Sequence, residues 1–219
     1  MTSYVTQTQT CCLCETASEC EIVKSTDAVG SPDLDLRPAA PERDSMHAWF
    51  QQCPNCQYVA VDLSQARDNT QELLASPRYQ SLVNDSEIDP VARKFALCAL
   101  LNEHDREIFS TALLRAAWVC DDQQRQLAAK SFRDEAADCL KQMQPFEDGD
   151  DQATLAVTLV DILRRAERFE EAAKLANQML KFKTVKRSPV MSAVVKFQLK
   201  LCDSKSSACH KVEEAMPQD

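Results

Sequence analysis

The sequence predicts a mainly α-helical protein with a small β module near its N-terminus. Only two glycines, Gly30 and Gly149, occur in 219 residues, while Ala, Leu, Glu, Gln, Lys and Arg, which favour helix, are abundant. From Leu63 onward, the apolar residues recur with a helical period. Before Leu63, prolines and two cysteine pairs indicate turns and short strands instead.

Composition excludes several classes of function. Hydrophobic residues make up 44% of the chain, which is typical of a globular protein. The scarcity of glycine excludes a dinucleotide-binding Gly-x-Gly-x-x-Gly turn and a phosphate-binding P-loop. The net charge of −9 argues against a general nucleic-acid binder, which normally carries a basic surface.

We expect a cytoplasmic protein without membrane contact. No basic cluster followed by an apolar stretch marks the N-terminus as a secretory signal. The longest apolar run, Phe95 to Leu101, is too short to span a bilayer. In the cytoplasm, the eleven cysteines should be thiols or metal thiolates rather than disulfides.

The most informative motif is a repeated cysteine pair. Cys11 and Cys14 form one Cys-x-x-Cys pair, and Cys53 and Cys56 form a second. Two such pairs are typical of a tetrahedral zinc site to which each pair supplies two sulfurs. Four sulfurs leave no open coordination position, so the predicted zinc is structural. Short strands predicted at 49–52 and 58–63 make the module resemble a zinc ribbon whose two cysteine turns are separated by an insertion.

The cysteines also allow roles other than zinc binding. Cys53-Pro54-Asn55-Cys56 taken alone is compatible with a thiol–disulfide motif, but such a motif should open a helix, and a strand is predicted here. Cys12 and Cys20 lie near the first pair and are interpreted as free thiols. Five other residues are assigned to packing or the surface rather than to chemistry: Cys98, Cys120, Cys139, His47 and His104. A second metal site built from Cys202, Cys209 and His210 is disfavoured, because it lacks a paired spacing and a fourth ligand.

The helices are predicted from their start signals and apolar stripes. Asp89-Pro90 and Ser188-Pro189 each combine a capping side chain with a proline suited to the first turn. The segment Asp148-Gly149-Asp150 separates two further helices. The predicted helices run from about residue 90 to 101, 106 to 119, 123 to 143, 152 to 165, 170 to 181 and 189 to 202, with a short one after Ser206.

Some of these helices follow a paired pattern. Leu159, Val160 and Leu163 precede Phe169, Ala172 and Leu180, which approximates the helix-turn-helix unit of tetratricopeptide repeats. A weaker copy occurs 60 residues earlier, at Phe109, Ala112 and Ala116. We therefore predict an antiparallel helical-repeat array at 64–219 behind a zinc-ribbon module at 1–63. A non-repetitive helical bundle is the alternative.

These features together resemble a family of uncharacterised bacterial proteins. The resemblance lies in Cys11-Cys12-Leu13-Cys14, in the segment from Ser31 to Pro38, and in Cys53-Pro54-Asn55-Cys56-Gln57-Tyr58-Val59-Ala60. That family has a split zinc ribbon followed by tetratricopeptide-like helices. The resemblance implies zinc binding by Cys11, Cys14, Cys53 and Cys56, and it implies no reaction, since the family has no established activity.

This chain departs from the family at one position in each cysteine turn. Glu15 and Gln57 stand where glycine is common after the second cysteine. Glycine tolerates the left-handed conformation that directs backbone N–H groups toward sulfur, so a side chain there costs on the order of 1 kcal/mol. Structural zinc contributes roughly 10–16 kcal/mol in small domains, so the departures weaken the motif without excluding metal.

Asp33, Asp35 and Arg37 form a polar cluster outside the cysteine turns. Their alternation with Leu34 and Leu36 favours a half-buried strand whose polar side chains face water. The functional alternative is that Arg37 binds a carboxylate or phosphate.

The preferred function is a non-enzymatic scaffold or adaptor that binds a protein or peptide through its helical surface. One alternative is nucleic-acid binding through the ribbon and segment 181–200, which holds six basic residues, two phenylalanines and no acid. The other is a thiol-redox enzyme, although the sequence shows no catalytic constellation.

Overall fold

The computed structural model describes residues 1–217 and is mainly helical, with two small pairs of antiparallel strands toward the N-terminus. This confirms the predicted fold class. Contacts within the chain group it into two compact units. The N-terminal unit comprises Met1–Val29 and Ala40–Ala129, and the C-terminal unit comprises Gly30–Ala39 together with the chain from Lys130. The division predicted between residues 63 and 64 stays a prediction, and the helices of 70–122 share a unit with the cysteine turns.

Each cysteine turn joins two antiparallel strands. β1 (Ser3–Thr10) and β2 (Ala17–Ser25) flank the first turn and pair in a register that ends at Thr10↔Ala17. β3 (Gln51–Gln52) and β4 (Val59–Ala60) flank the second turn. The second hairpin was predicted, whereas the long first hairpin was not. A 3-10 helix, Arg43–Ala48, precedes β3.

Nine α-helices lie within residues 1–217, and none is long and apolar enough to cross a membrane. They are α1 (Thr70–Ala75), α2 (Pro77–Val83), α3 (Pro90–Leu100), α4 (Arg106–Asp122), α5 (Gln126–Lys141), α6 (Asp150–Arg165), α7 (Phe169–Met179), α8 (Lys183–Arg187) and α9 (Pro189–Asp203). A 3-10 turn, Val212–Ala215, lies after Ser206, where a short helix was expected. The short helices α1, α2 and α8 were not predicted.

Capping side chains explain where the main helices begin. The Asp89 carboxylate accepts hydrogen bonds from the backbone N–H groups of Val91 and Ala92, at 2.7 and 3.2 Å. Asp105 caps α4 through Ile108, and Ser188 caps α9 through Met191. These contacts satisfy N–H groups that have no partner inside the helix. The predicted starts of α3, α4 and α9 are therefore confirmed.

In the N-terminal unit, α3 packs along α4. The predicted stripe of α4 is buried throughout: Phe109, Ala112, Leu113, Ala116 and Val119. Trp49 and Phe50, which precede β3, place their rings edge-on against Phe95 of α3, with centroids 6.2 and 5.4 Å apart. These aromatic contacts fix the strand that carries the second cysteine turn against α3.

In the C-terminal unit, α7 and α9 both pack against α6. Leu159 and Leu163 of α6 are buried, and Ala172 and Ala176 of α7 are fully buried. Small residues in these positions let neighbouring helices approach closely. The paired helices are compatible with the predicted repeat.

The interpretation of Asp33 to Arg37 as a strand with water-facing charges is wrong. The segment is a turn closed by a hydrogen bond from Leu36 N–H to the Asp33 carbonyl, and Leu36 has φ 65°. Asp35 and Arg37 are each 1% exposed, whereas Leu36 is 48% exposed. Asp35 Oδ2 lies 3.5 Å from Arg133 and 3.3 Å from Arg165. Opposite charges from α5 and α6 offset the cost of burying the carboxylate. The alternation of polar and apolar residues at 33–37 gives no sign of these arginines, because they are distant in sequence.

Candidate metal centre

The two cysteine turns have the same backbone geometry. In the first, the N–H of Glu15 donates to the Cys11 carbonyl at 2.9 Å, and the N–H of Cys11 donates to the Thr16 carbonyl at 3.0 Å. In the second, Gln57 donates to Cys53 at 3.0 Å, and Cys53 donates to Tyr58 at 2.8 Å. Each Cys-x-x-Cys pair therefore occupies a tight turn that directs both of its sulfurs to one side.

The turns bring all four predicted ligands together. The ligand atoms of Cys11, Cys14, Cys53 and Cys56 all lie within 4.8 Å of one another. Between the turns, Cys11 Sγ lies 3.6 Å from Cys56 Sγ, and Cys14 Sγ lies 3.5 Å from Cys53 Sγ. All four residues are thiols rather than disulfides. The coarse expectation of a four-cysteine cluster at metal-binding distance is therefore confirmed.

The cluster fits a tetrahedral metal ion. With metal–sulfur bonds of about 2.3 Å, the sulfurs of a tetrahedral site lie about 3.8 Å apart. The observed separations are close to this value, so binding needs little movement of the turns. Four soft thiolates are a ligand set suited to zinc or iron. The distances indicate a metal site but do not select the ion.

Both residues that replace glycine adopt the left-handed conformation expected of that position. Glu15 has φ 58° and Gln57 has φ 65°. The Gln57 side chain donates to the Pro54 carbonyl at 3.0 Å and accepts from the Gln52 side chain at 2.9 Å. Tyr79, buried in α2, donates its hydroxyl to the Gln57 carbonyl at 2.8 Å. These contacts hold the second turn in its strained conformation and offset part of the free-energy cost of a left-handed side-chain-bearing residue.

The four thiols differ in their electrostatic surroundings. The Thr16 hydroxyl, 3.3 Å from Cys14 Sγ, and the Thr16 backbone N–H hold the pKa of Cys14 at about 5. Burial raises the pKa of Cys11 and of Cys56. A bound cation favours thiolates and releases their protons, so metal affinity falls in acid.

Hydrogen bonds tie the first hairpin to the chain that follows the second. The Cys12 N–H donates to the Leu63 carbonyl at 2.9 Å. In return, the Leu63 N–H donates to the side-chain oxygen of Gln9 at 2.9 Å. Gln9 is buried, which makes it a structural residue of the site. Neither Gln9 nor Thr16 was singled out from the sequence, since only their positions beside a cysteine pair mark them.

The remaining cysteines and histidines lie outside the four-sulfur cluster. Cys12 is exposed, and Cys20 is buried in β2 beside Ser18. Cys209 is exposed, and its Sγ lies 3.1 Å from an Asp33 carboxylate oxygen. His210 Nδ1 lies 2.8 Å from Glu214. Within residues 1–217, Cys202, Cys209 and His210 do not form a second cluster of metal ligands.

The second cysteine turn lacks the setting of a thiol–disulfide motif. Cys53 to Cys56 connect β3 to β4, and no helix begins at Cys53. A helix N-terminus, which lowers the thiol pKa in that class of motif, is therefore missing around these described residues.

Comparison with known proteins adds no assignment. No family model, no curated protein and no solved structure matches this chain. The resemblance to split zinc-ribbon proteins is therefore supported by the four-cysteine cluster alone.

Proposed function

We propose that the protein is a zinc-stabilised, non-enzymatic scaffold whose C-terminal unit binds an acidic segment of a partner protein. Cys11, Cys14, Cys53 and Cys56 hold the zinc, which closes the two hairpins on one another. Four protein ligands fill a tetrahedral zinc, so the ion serves structure rather than catalysis.

One observation supports the binding role: an apolar groove of about 520 Å³ in the C-terminal unit. Phe146 and Met179, both buried, contribute to the groove together with Pro145 and Phe182. Apolar grooves with a few polar groups at the edge are typical sites for an anchoring side chain. Lys181, which is exposed, also lines this groove.

A basic depression next along the chain supports an acidic partner. Lys183, Lys186 and Arg187 line a depression of about 330 Å³ together with Asp148. All three cations are exposed, and among the described residues Asp148 is the only acid in the lining. Asp148 accepts hydrogen bonds from the backbone N–H groups of Thr184 and Lys183, which lowers its pKa. The three cations outnumber this acid, so charge complementarity favours an acidic segment. The neighbouring apolar groove favours a segment that also carries an apolar anchor.

The zinc half of the proposal is tested by elemental mass spectrometry of protein purified without added metal. We expect about one zinc per chain, and the double variant Cys53→Ser/Cys56→Ser should lose it. Cys12→Ser, which removes an exposed thiol between two of the ligands, is the matched control and should retain it. Metal-free wild-type protein with reactive thiols would reject the zinc assignment and favour thiol chemistry.

The binding half is tested by fluorescence polarisation with a labelled acidic peptide that carries a central phenylalanine. Binding should weaken when Lys183, Lys186 and Arg187 are changed together to glutamine, and should persist in a Lys196→Gln/Lys200→Gln control. A peptide with its acids replaced by amides should not bind. A short single-stranded oligonucleotide serves as the competing probe, and its tighter, steeply salt-dependent binding would favour the nucleic-acid alternative.

A further inference from the structure

Arg115 of α4 is a half-buried cation. Its guanidinium carbon lies 5.2 Å from the centroid of the Trp49 ring. Its Nε is buried and makes no hydrogen bond. Among the described residues, no carboxylate forms an ion pair with Arg115, in contrast to Arg78, which pairs with Glu103 at 2.5 Å. Burial lowers the pKa of Arg115, but an arginine in a protein stays charged at neutral pH.

This guanidinium lies on the wall of a cavity of about 260 Å³ in the N-terminal unit. Much of the remaining wall is apolar. It is formed by Phe50, Cys98, Ile108 and Ala112, with one hydroxyl from Thr111. Asp105 and Glu107 complete the lining, and an apolar wall with a few placed polar groups is the usual form of a small-ligand site. Its volume suits a short organic ligand better than a large cofactor.

The wall carrying Arg115 is held in place. Trp49 donates its indole N–H to Ser45 Oγ at 2.9 Å, and its ring packs edge-on against Phe95. Phe50 packs edge-on against the same ring. The aromatic surface under the guanidinium is therefore pre-organised, and a cation stacked on an aromatic face keeps its outer edge available for a planar anion.

The charges around the cavity are separated along α4. Arg115 lies eight residues after Glu107, which corresponds to about 12 Å along a helix axis. Asp105 and Glu107 line the cavity from the start of α4, and Asp105 is engaged in capping α4 at Ile108. An anion is therefore favoured at the Arg115 end and disfavoured at the Glu107 end.

We propose that this cavity binds a monocarboxylate with a short apolar body, its carboxylate paired with Arg115 and its body against Phe50 and Ile108. A guanidinium matches a carboxylate through two parallel hydrogen bonds. The two acids at the far end select against phosphates and dicarboxylates. A free metabolite and the C-terminus of a peptide offer the same chemistry, and the test separates them.

The test follows the side-chain Nε–H resonance of Arg115 by NMR during titration at constant ionic strength. The probes are pentanoate, glutarate, 5-aminopentanoate, and a short peptide ending in leucine as either the carboxylate or the amide. We expect pentanoate to shift the resonance saturably, glutarate to bind more weakly, and 5-aminopentanoate to bind at least as tightly because its ammonium approaches Glu107. Tighter binding of the peptide carboxylate than of pentanoate identifies a chain terminus as the source.

Variants make the result specific to the cavity. Arg115→Gln removes the charge-assisted hydrogen bonds and should weaken pentanoate binding about tenfold to a hundredfold in calorimetry. Arg78→Gln is the matched control and should leave binding unchanged. Ile108→Glu changes a residue that is 40% exposed, so the fold should survive, and the introduced carboxylate should abolish binding. The proposal is overturned if none of the carboxylates shifts the Arg115 resonance, if the peptide amide binds as well as the acid, or if folded Ile108→Glu binds pentanoate normally.

Discussion

The two units place polar atoms in their interiors by different means. The N-terminal unit gathers four thiols from two turns of the same design. The C-terminal unit instead buries ion pairs, among them Asp161 with Arg164, at 2.8 Å, and Asp35 with Arg133 and Arg165. A metal site assembles from local, repeated motifs. Each buried charge, by contrast, needs a particular residue of opposite charge elsewhere in the chain. The first arrangement is visible in the sequence and the second is not.

The largest expected effect is removal of the metal. Chelation should expose four thiols and abolish the closure of the hairpins, since structural zinc contributes roughly 10–16 kcal/mol in small domains. Hydrogen exchange measured by mass spectrometry should show lost protection at 11–16 and 53–58. Helices α6, α7 and α9 should remain protected, because they belong to the unit built on ion pairs. If both cysteine turns keep their protection after complete metal removal, the N-terminal unit does not depend on a metal in the way that this comparison requires.

In the C-terminal unit, the interaction that corresponds to the metal site is the buried ion pair of α6, Asp161 with Arg164. Arg164 is fully buried and donates to Asp161 Oδ1 from Nε and Nη2, and its Nη1 donates to the carbonyls of Ser206 and Ala208. Asp161→Asn leaves the guanidinium charge buried without its carboxylate, so stability in urea denaturation should fall by about 3–5 kcal/mol. Asp138→Asn, in an exposed pair with Arg168, is the control and should cost less than about 1 kcal/mol. Equal losses in the two variants would show that burial does not set the contribution of these pairs.

The two cysteine turns should respond differently to glycine. Glu15→Gly relieves a left-handed side chain and should stabilise the metal-bound protein by roughly 0.5–1 kcal/mol. Gln57→Gly relieves the same strain but removes the side-chain hydrogen bonds to Pro54 and Gln52, so its gain should be smaller or absent. Thermal denaturation of both variants in excess zinc measures the difference. A larger gain at Gln57 would show that these side-chain contacts contribute little.

The smallest expected effect concerns the exposed ion cluster of α7. Arg168 and then Lys141 hold the pKa of Glu171 at about 2. Because this folded-state pKa lies below the unfolded value of about 4.3, the stabilisation is present above pH 4.3 and is lost as the pH falls toward 2. Glu171 is 42% exposed, so solvent screening limits the effect to under about 1 kcal/mol. Melting temperatures between pH 5 and 2.5 should fall slightly more for the wild type than for Glu171→Gln, and high salt should reduce that difference.

Sequence reasoning succeeded where the determining signal is local. The spacing of the cysteine pairs predicted which four sulfurs meet, and the capping residues Asp89 and Ser188 predicted two helix starts. The left-handed conformation at Glu15 and Gln57 followed from the geometry of a cysteine turn. In each case a few neighbouring residues determine the conformation.

Sequence reasoning failed where the partner is distant. The leucine and aspartate alternation at 33–37 has the period of a strand, but arginines of α5 and α6 convert it into a buried turn. Likewise, nothing near Arg115 in the sequence indicates that its guanidinium lies on Trp49 and lacks a carboxylate partner among the described residues. Contacts between residues that are far apart in the sequence determine both environments, and a single sequence carries no record of them.

The placement of segment 30–39 in the C-terminal unit has a consequence for the order of assembly during synthesis. The four cysteines have all been translated once Cys56 is made, so the hairpins can close early. Asp35 must wait for Arg133 and Arg165, which are 98 and 130 residues further along the chain. A nascent chain thus carries an acidic loop within its first folded unit while its cationic partners are still inside the ribosome. The protein cannot be divided by one cut in the gene into two fragments that each contain a complete unit.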